Sequence, residues 1–123
     1  MFNSLFKRQA AQYESVNPRQ ILDWNGNPNV VFVDVRSAGE IAGSGTIKGA
    51  VRAPLPGFDN FAKPDGSGAL PAADSGKAIV VVCASGMRSA SAAGRLVDMG
   101  YPKVYNLIGG FGEWARAGGK VER

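Results

Sequence analysis

Residues 80–91 read VVVCASGMRSAS and contain the only cysteine of the chain. The β-branched apolar run that ends at Cys83 predicts a strand over 78–83, and the small residues after it predict a bend into a helix that begins near Ser89. A continuous apolar run of this kind is typical of a strand covered on both faces, as in a parallel sheet. Because open parallel sheets bind ligands beyond the carboxyl ends of their strands, Cys83 lies at a candidate binding position.

The rest of the chain alternates short apolar strands with short helices. Further strands are predicted at residues 30–35, 50–53 and 103–107, and helices at 18–25, 37–42, 57–63, 89–99 and 109–118. Asn17 followed by Pro18 is typical of a helix start, and Ser37 with Glu40 has the spacing of a capping box. Residues 64–77 are predicted as a turn-rich loop without a chemical role. The alternation predicts an α/β domain around a mostly parallel sheet.

Length, composition and charge fit one globular domain. The chain has 123 residues, 45% of them hydrophobic, and a formal net charge of +4. Its basic residues are spread along the sequence, whereas nucleic-acid binders concentrate them, so no nucleic-acid partner is expected. No run of about 18 apolar residues is present, so no membrane span is expected. The first residues also lack the apolar segment of a signal peptide.

The single cysteine and the absence of histidine limit the reactions that this chain could catalyse. One cysteine cannot form an internal disulfide, and no export signal is expected, so we expect a reducing compartment, the cytoplasm. The chain has no histidine, which excludes Ser-His-Asp and Cys-His catalysis and argues against a zinc site. We therefore expect neither a metal nor a cofactor.

The residues after Cys83 predict an electropositive cradle for its sulfur. The small residues 84–86 allow backbone N–H groups to point inward, the amino end of the next helix adds partial positive charge, and Arg88 adds a full charge. With no histidine to take the proton, these groups must stabilise the thiolate. We expect them to lower the pKa of Cys83 from its ordinary value of about 8.5 despite partial burial.

Three groups of residues resemble the single-domain form of the rhodanese family. Its loop has a cysteine, four further residues and then often Arg-Ser, and its other motifs occur here in the family's order. They are DVRSAGE (Asp34 to Glu40), GTI (Gly45 to Ile47), GA (Gly49 and Ala50), CASGMRS (Cys83 to Ser89) and NLIGGFGEW (Asn106 to Trp114). The resemblance covers residues 12–117, predicted as one domain between tails at 1–11 and 118–123. It implies a three-layer α/β/α fold around about five strands.

The resemblance also implies a thiosulfate sulfurtransferase. Cys83 would attack the outer sulfur of a small anionic donor such as thiosulfate and hold it as a persulfide. A thiophilic acceptor (cyanide, a thiol or a protein) would then remove that sulfur. The implied substrate-binding residues are Ala84, Ser85, Gly86, Met87, Arg88 and Ser89. Among these, Arg88 would steer the donor, and the loop amides would hold the persulfide.

Residues outside the loop are expected to support it. Asp34, Arg36 and Glu40 are interpreted as scaffold: a polar network below the loop and a helix cap. The paired glycines at 109–110 and Trp114 are interpreted as turn and packing residues.

Two departures from the family's pattern matter. Thr46 replaces a frequent histidine, at a position interpreted as structural. Ala84 replaces a basic residue that follows the cysteine in many thiosulfate-using members, which leaves the strength of thiosulfate activity open.

Four alternatives compete with this hypothesis. Related Cys-loop phosphatases have five residues between cysteine and arginine, where this chain has four. The loop of a mercaptopyruvate transferase tends to end on Thr or Ser after an apolar residue, whereas Arg88 favours an inorganic donor. A non-catalytic rhodanese-like module would usually lack the cysteine. A carrier that passes sulfur to a partner protein would use the same loop, so it stays open, as do the donor, the acceptor and the oligomeric state.

Overall fold

The structure, a computed structural model, describes residues 13–123, and the predicted N-terminal tail at 1–11 lies outside them. Its strands are β1 (Glu14–Val16), β2 (Val30–Asp34), β3 (Thr46–Ile47), β4 (Val51–Arg52), β5 (Ala78–Val82), β6 (Val104–Leu107) and β7 (Val121–Glu122). Its helices are α1 (Pro18–Ile21), α2 (Ala38–Ser44), α3 (Phe58–Phe61), α4 (Met87–Asp98) and α5 (Gly110–Arg116), with 3-10 turns at Leu22–Trp24 and Ala73–Ser75.

Five parallel strands form the main sheet in the order β1-β6-β5-β2-β4. This confirms the predicted α/β fold and its mostly parallel, five-stranded sheet. Strand β1 was not predicted, because it has three residues, two of them exposed, and so gives no apolar run. None of the helices within residues 13–123 is long and apolar enough to cross a membrane.

The central strand β5 contributes side chains to two hydrophobic clusters, one on each face of the sheet. Ile79 and Val81 belong to the cluster that includes the inner face of α4, whereas Val80 and Val82 belong to the cluster around Trp114 of α5. Successive side chains of a strand point to opposite faces, so a fully buried strand needs helices on both sides. The result is the expected three-layer arrangement.

Several helix boundaries differ from the prediction for local reasons. The predicted helix at 18–25 changes to a 3-10 turn after Ile21. Helix α2 begins after a capping box, as predicted: the Glu40 amide donates to Ser37 Oγ at 3.2 Å, and the Ser37 amide donates to the Glu40 carboxylate at 3.1 Å. Helix α4 begins two residues before the predicted Ser89, because Gly86 takes the capping position at a φ of 112°.

The C-terminal segment at residues 118–123 is folded against the domain, although it was predicted as a tail. Strand β7 pairs antiparallel with β3, and the Trp114 indole N–H donates to the carbonyl of Lys120 at 2.9 Å. The close approach of the chain to the indole ring leaves no space for a side chain at Gly119. A two-residue strand depends on its partner for stability, so its own sequence does not reveal it.

A buried ion pair stabilises the carboxyl end of β2. Arg36 Nη2 lies 2.8 Å from the Asp34 carboxylate and also donates to the carbonyl of Gly45 at 2.8 Å. Thr46 Oγ1 donates to the same carboxylate at 2.7 Å. These bonds attach the end of β2 to Gly45, which follows α2, and to the first residue of β3.

Replacing Arg36 tests this network. Because Arg36→Leu would leave the Asp34 carboxylate buried without its charged partner, we expect the free energy of unfolding to fall by about 3–5 kcal/mol. Urea denaturation followed by circular dichroism would measure it. The control is Arg116→Leu, which breaks the exposed pair with Glu113 and should leave the stability nearly unchanged. Equal losses in the two variants would contradict the assignment.

Candidate active site

Cys83 directly follows β5, and residues 84–86 form the turn that leads into α4. At Gly86 the backbone has a φ of 112°, in the region that L side chains rarely adopt. This conformation turns the chain back over the end of the strand, so the first turn of α4 begins beside the cysteine. The glycine in the sequence motif is therefore required by the backbone.

The Cys83 side chain is 0% exposed, and its sulfur contacts polar groups of the loop. The Gly86 amide donates to Sγ at 3.0 Å, and Sγ lies 3.3 Å from Ser89 Oγ. The same side chain is also part of the hydrophobic cluster between the sheet and α4. The sulfur is therefore more enclosed than the partial burial expected from the sequence, and the loop closes directly around it.

Burial and hydrogen bonding act on the thiol in opposite directions. Burial raises the pKa of Cys83, whereas the Ser89 hydroxyl and the backbone amides of Ser89, Gly86 and Ser85 lower it. The pKa of Cys83 is lowered overall, because several contacts stabilise the charged form at hydrogen-bond distance. This agrees with the expectation that the loop outweighs burial and identifies the amides that do so.

Asn106 on β6 completes the polar surroundings of the sulfur, a role that was absent from the sequence-based predictions. Its Oδ1 accepts a short hydrogen bond from the fully buried hydroxyl of Ser89, and its Nδ2 donates to the carbonyl of Gly86 at 3.3 Å. Asn106 therefore contacts both residues that bind Sγ. The available signal was an asparagine inside the apolar strand VYNL, since a buried polar side chain needs hydrogen-bond partners.

Arg88 is paired with Glu40, although the sequence suggested a cation free to meet a donor. Two guanidinium nitrogens lie 2.7 and 2.8 Å from the two carboxylate oxygens. The Arg88 hydrogen bonds hold the pKa of Glu40 at about 2, so the pair stays charged at any pH near neutrality. The Arg88 side chain remains 39% exposed, so it can be reached from solvent, but Glu40 offsets its charge.

The first residues of α5 support the loop from its other side. The Phe111 amide donates to the carbonyl of Cys83 at 2.8 Å. A side chain at Gly110 would collide with the carbonyls of Cys83 and Ala84. The Arg36 guanidinium lies 4.4 Å from the centre of the Phe111 ring, within the range of a cation–π contact. Gly110 thus packs directly against the cysteine loop. The Arg36–Asp34 ion pair reaches the same loop through Phe111.

The outer side of the loop faces solvent. Ala84 and Ser85 are exposed, and Met87 is 80% exposed. No group of three or more His, Cys, Asp or Glu side chains within residues 13–123 is arranged to hold a metal ion. The arrangement offers a buried nucleophile, a ring of amide donors and an accessible rim, which are suited to covalent chemistry at a single sulfur atom.

Comparison with known proteins identifies relatives of this chain. Thiosulfate sulfurtransferase GlpE of Pseudoalteromonas translucida is 32% identical over 117 residues, which cover 90% of this chain and 98% of that protein. The tRNA uridine(34) hydroxylase of Cupriavidus taiwanensis is 34% identical over 113 residues, but the match covers 86% of this chain and only 39% of the hydroxylase.

A solved structure with the same fold comes from Rhodopseudomonas palustris, a protein of unknown function described as a possible tyrosine phosphatase. It is 32% identical, has a TM-score of 0.78, and is matched over 96% of this chain and 90% of its own. Residues 17–117 of this chain match the family described as the Rhodanese-like domain. Because that match covers most of the sequence and includes the whole cysteine loop, the chain belongs to the rhodanese-like domain family.

Proposed function

We propose that this protein is a thiosulfate sulfurtransferase that works through a persulfide on Cys83. The observation that carries the proposal is the buried Sγ of Cys83, which accepts a hydrogen bond from the Gly86 amide at 3.0 Å and has a lowered pKa. A nucleophilic thiolate is the species that sulfur transfer requires. The sulfurtransferase relative of nearly the same length supports the same reaction class.

Both half-reactions balance without a cofactor. The Cys83 thiolate forms a bond to the outer sulfur of thiosulfate, the S–S bond of the donor breaks, and its electron pair leaves with sulfite. The negative charge then lies on the terminal sulfur of the persulfide. An acceptor such as cyanide bonds to that terminal sulfur, and the inner S–S bond breaks to return the thiolate and release thiocyanate.

The loop supplies what each step needs. The amides of Ser85, Gly86 and Ser89 lower the pKa of Cys83, which favours the thiolate both as nucleophile and as leaving group. Met87 and the exposed residues 84–85 form the rim at which a donor or acceptor arrives. A protein acceptor would meet the same rim, so a carrier that delivers sulfur to a partner shares this chemistry.

Persulfide formation can be tested by intact mass spectrometry. After incubation with thiosulfate and removal of the excess, we expect a gain of one sulfur atom, because Cys83 is the only cysteine. Cyanide should remove the added mass, and Cys83→Ser should never acquire it. A protein that takes up no sulfur from any sulfane donor but releases phosphate from an aryl phosphate would contradict the proposal and favour a phosphatase.

The role of Arg88 in donor capture can be tested separately. Charge-assisted hydrogen bonds are worth about 1.5–3 kcal/mol, and partial exposure and the pairing with Glu40 place the effect at the low end. We expect Arg88→Ala to lower kcat/KM for thiosulfate roughly tenfold, mainly through KM.

The matched control for Arg88→Ala is Arg95→Ala on the same helix. Within residues 13–123, Arg95 makes a long, exposed contact with Asp59, at 3.7 Å. Its replacement should leave thiosulfate kinetics unchanged, whereas equal losses in both variants, or no loss with Arg88→Ala, would contradict a capture role. Steady-state assays at two salt concentrations would show whether the effect is electrostatic.

A further inference from the structure

Cys83, Ser89 and Asn106 form a continuous hydrogen-bond chain in the buried part of the site. The thiol of Cys83 donates to Ser89 Oγ at 3.3 Å, and the Ser89 hydroxyl donates to Oδ1 of Asn106. Cys83 and Ser89 are fully buried, and Asn106 is nearly so. This series of hydrogen bonds belongs to the protonated cysteine. The Ser89 hydroxyl has one hydrogen, which it donates to Asn106, so the Cys83 thiol acts as the donor to Ser89.

The orientation of the Asn106 amide is set by a second contact. Its Nδ2 donates to the carbonyl of Gly86 at 3.3 Å, so turning the amide over would place two oxygens against each other. Within residues 13–123, the Ser89 hydroxyl is the side-chain donor that reaches Oδ1. Once Cys83 is ionised, its Sγ and Oδ1 of Asn106 therefore compete for the single hydroxyl hydrogen of Ser89.

We propose that Ser89 and Asn106 form a hydroxyl switch coupled to ionisation of Cys83, in which the two residues act in opposite directions. When Cys83 loses its proton, the Ser89 hydroxyl turns from Oδ1 of Asn106 to the Sγ thiolate. That turn strengthens the contact to sulfur and leaves Oδ1 of Asn106 without its donor. A buried acceptor without a donor is costly, so Ser89 favours the thiolate while Asn106 favours the thiol.

The switch gives the two residues opposite roles in sulfur transfer, a consequence that rests on the proposed function. In the free enzyme the charge lies on Sγ, and the Ser89 hydroxyl turns toward it. In the persulfide the charge moves to the terminal sulfur, so the hydroxyl can return to Asn106. Asn106 would therefore favour the loaded form over the free thiolate, and Ser89 would favour the reverse. Both are positioning residues, since they act on the sulfur through hydrogen bonds.

The charged groups near Cys83 would not produce the opposite pKa shifts that the switch predicts for variants of Ser89 and Asn106. Arg88 on α4 is paired with Glu40 of α2, and Asp34 at the end of β2 is paired with Arg36. The contacts from β6 and α5 come from the Asn106 amide and from uncharged backbone. Each nearby charge is compensated within its own pair, so a variant at Ser89 or Asn106 changes the thiol through hydrogen bonding.

The test is the pH dependence of alkylation of Cys83 by iodoacetamide, followed by intact mass. The chain has one cysteine and no histidine, so the profile reports a single group. We expect Ser89→Ala to move the midpoint to higher pH and to slow alkylation roughly tenfold near neutrality. Ser89→Thr keeps the hydroxyl and should restore the wild-type profile. Asn106→Leu removes the competing acceptor and should move the midpoint to lower pH.

The opposite signs separate the switch from a structural role. If Asn106 only held the loop in place, Asn106→Leu would weaken the cradle and raise the midpoint, as Ser89→Ala does, and that result would overturn the proposal. Alkylation does not require a sulfur donor, so these results stand even if the sulfur-transfer proposal fails.

If Asn106→Leu does not fold, an NMR titration of the wild-type protein tests the switch instead. The side-chain amide of Asn106, followed by NMR in labelled wild-type protein, should shift with the titration of Cys83 and with the same midpoint. In Ser89→Ala the response should largely disappear, because the connecting hydroxyl is gone. An Asn106 amide that is unaffected by the titration in wild type would refute the switch.

Discussion

The Gly86 amide and the Ser89 hydroxyl contact the buried sulfur atom of Cys83, and the proposed chemistry of this protein depends on those contacts. A thiol in purely apolar surroundings keeps its proton, because burial penalises the charge. The alternation of side chains along β5 places Cys83 on the face covered by α4. A shift of one residue would put it on the opposite face, away from the first turn of that helix. Strand register and the Gly86 turn thus create the site together.

The loop gains its electropositive character mainly from backbone. Glu40 offsets the charge of Arg88, and Ala84 adds none. The remaining positive groups are amide N–H groups that the turn already holds in place, so they need no reorganisation when negative charge develops nearby. The Phe111 amide also supports the loop by donating a hydrogen bond to the carbonyl of Cys83.

Much of this arrangement could be predicted from sequence, because it depends on local patterns. The apolar run 78–83 indicated the central strand and its cysteine, and the spacing of Ser37 and Glu40 indicated the cap of α2. Long-range pairings left no such pattern: Glu40 and Arg88 are 48 positions apart, and each has a plausible local role. Asn106 gave only the signal of a polar residue in an apolar strand, since its two partners, Ser89 and Gly86, are distant in sequence. The short strands β1 and β7 form only where partner strands meet them.

The central claim is that the folded loop, and not the cysteine itself, makes the sulfur a thiolate. The most direct test is to titrate the ultraviolet absorbance of the Cys83 thiolate in the native protein and again in the urea-unfolded chain. The account predicts a lower midpoint in the native protein, since the amides and Ser89 favour the charged form more strongly than burial opposes it. A native midpoint equal to or above that of the unfolded chain would show that burial dominates and would contradict the account.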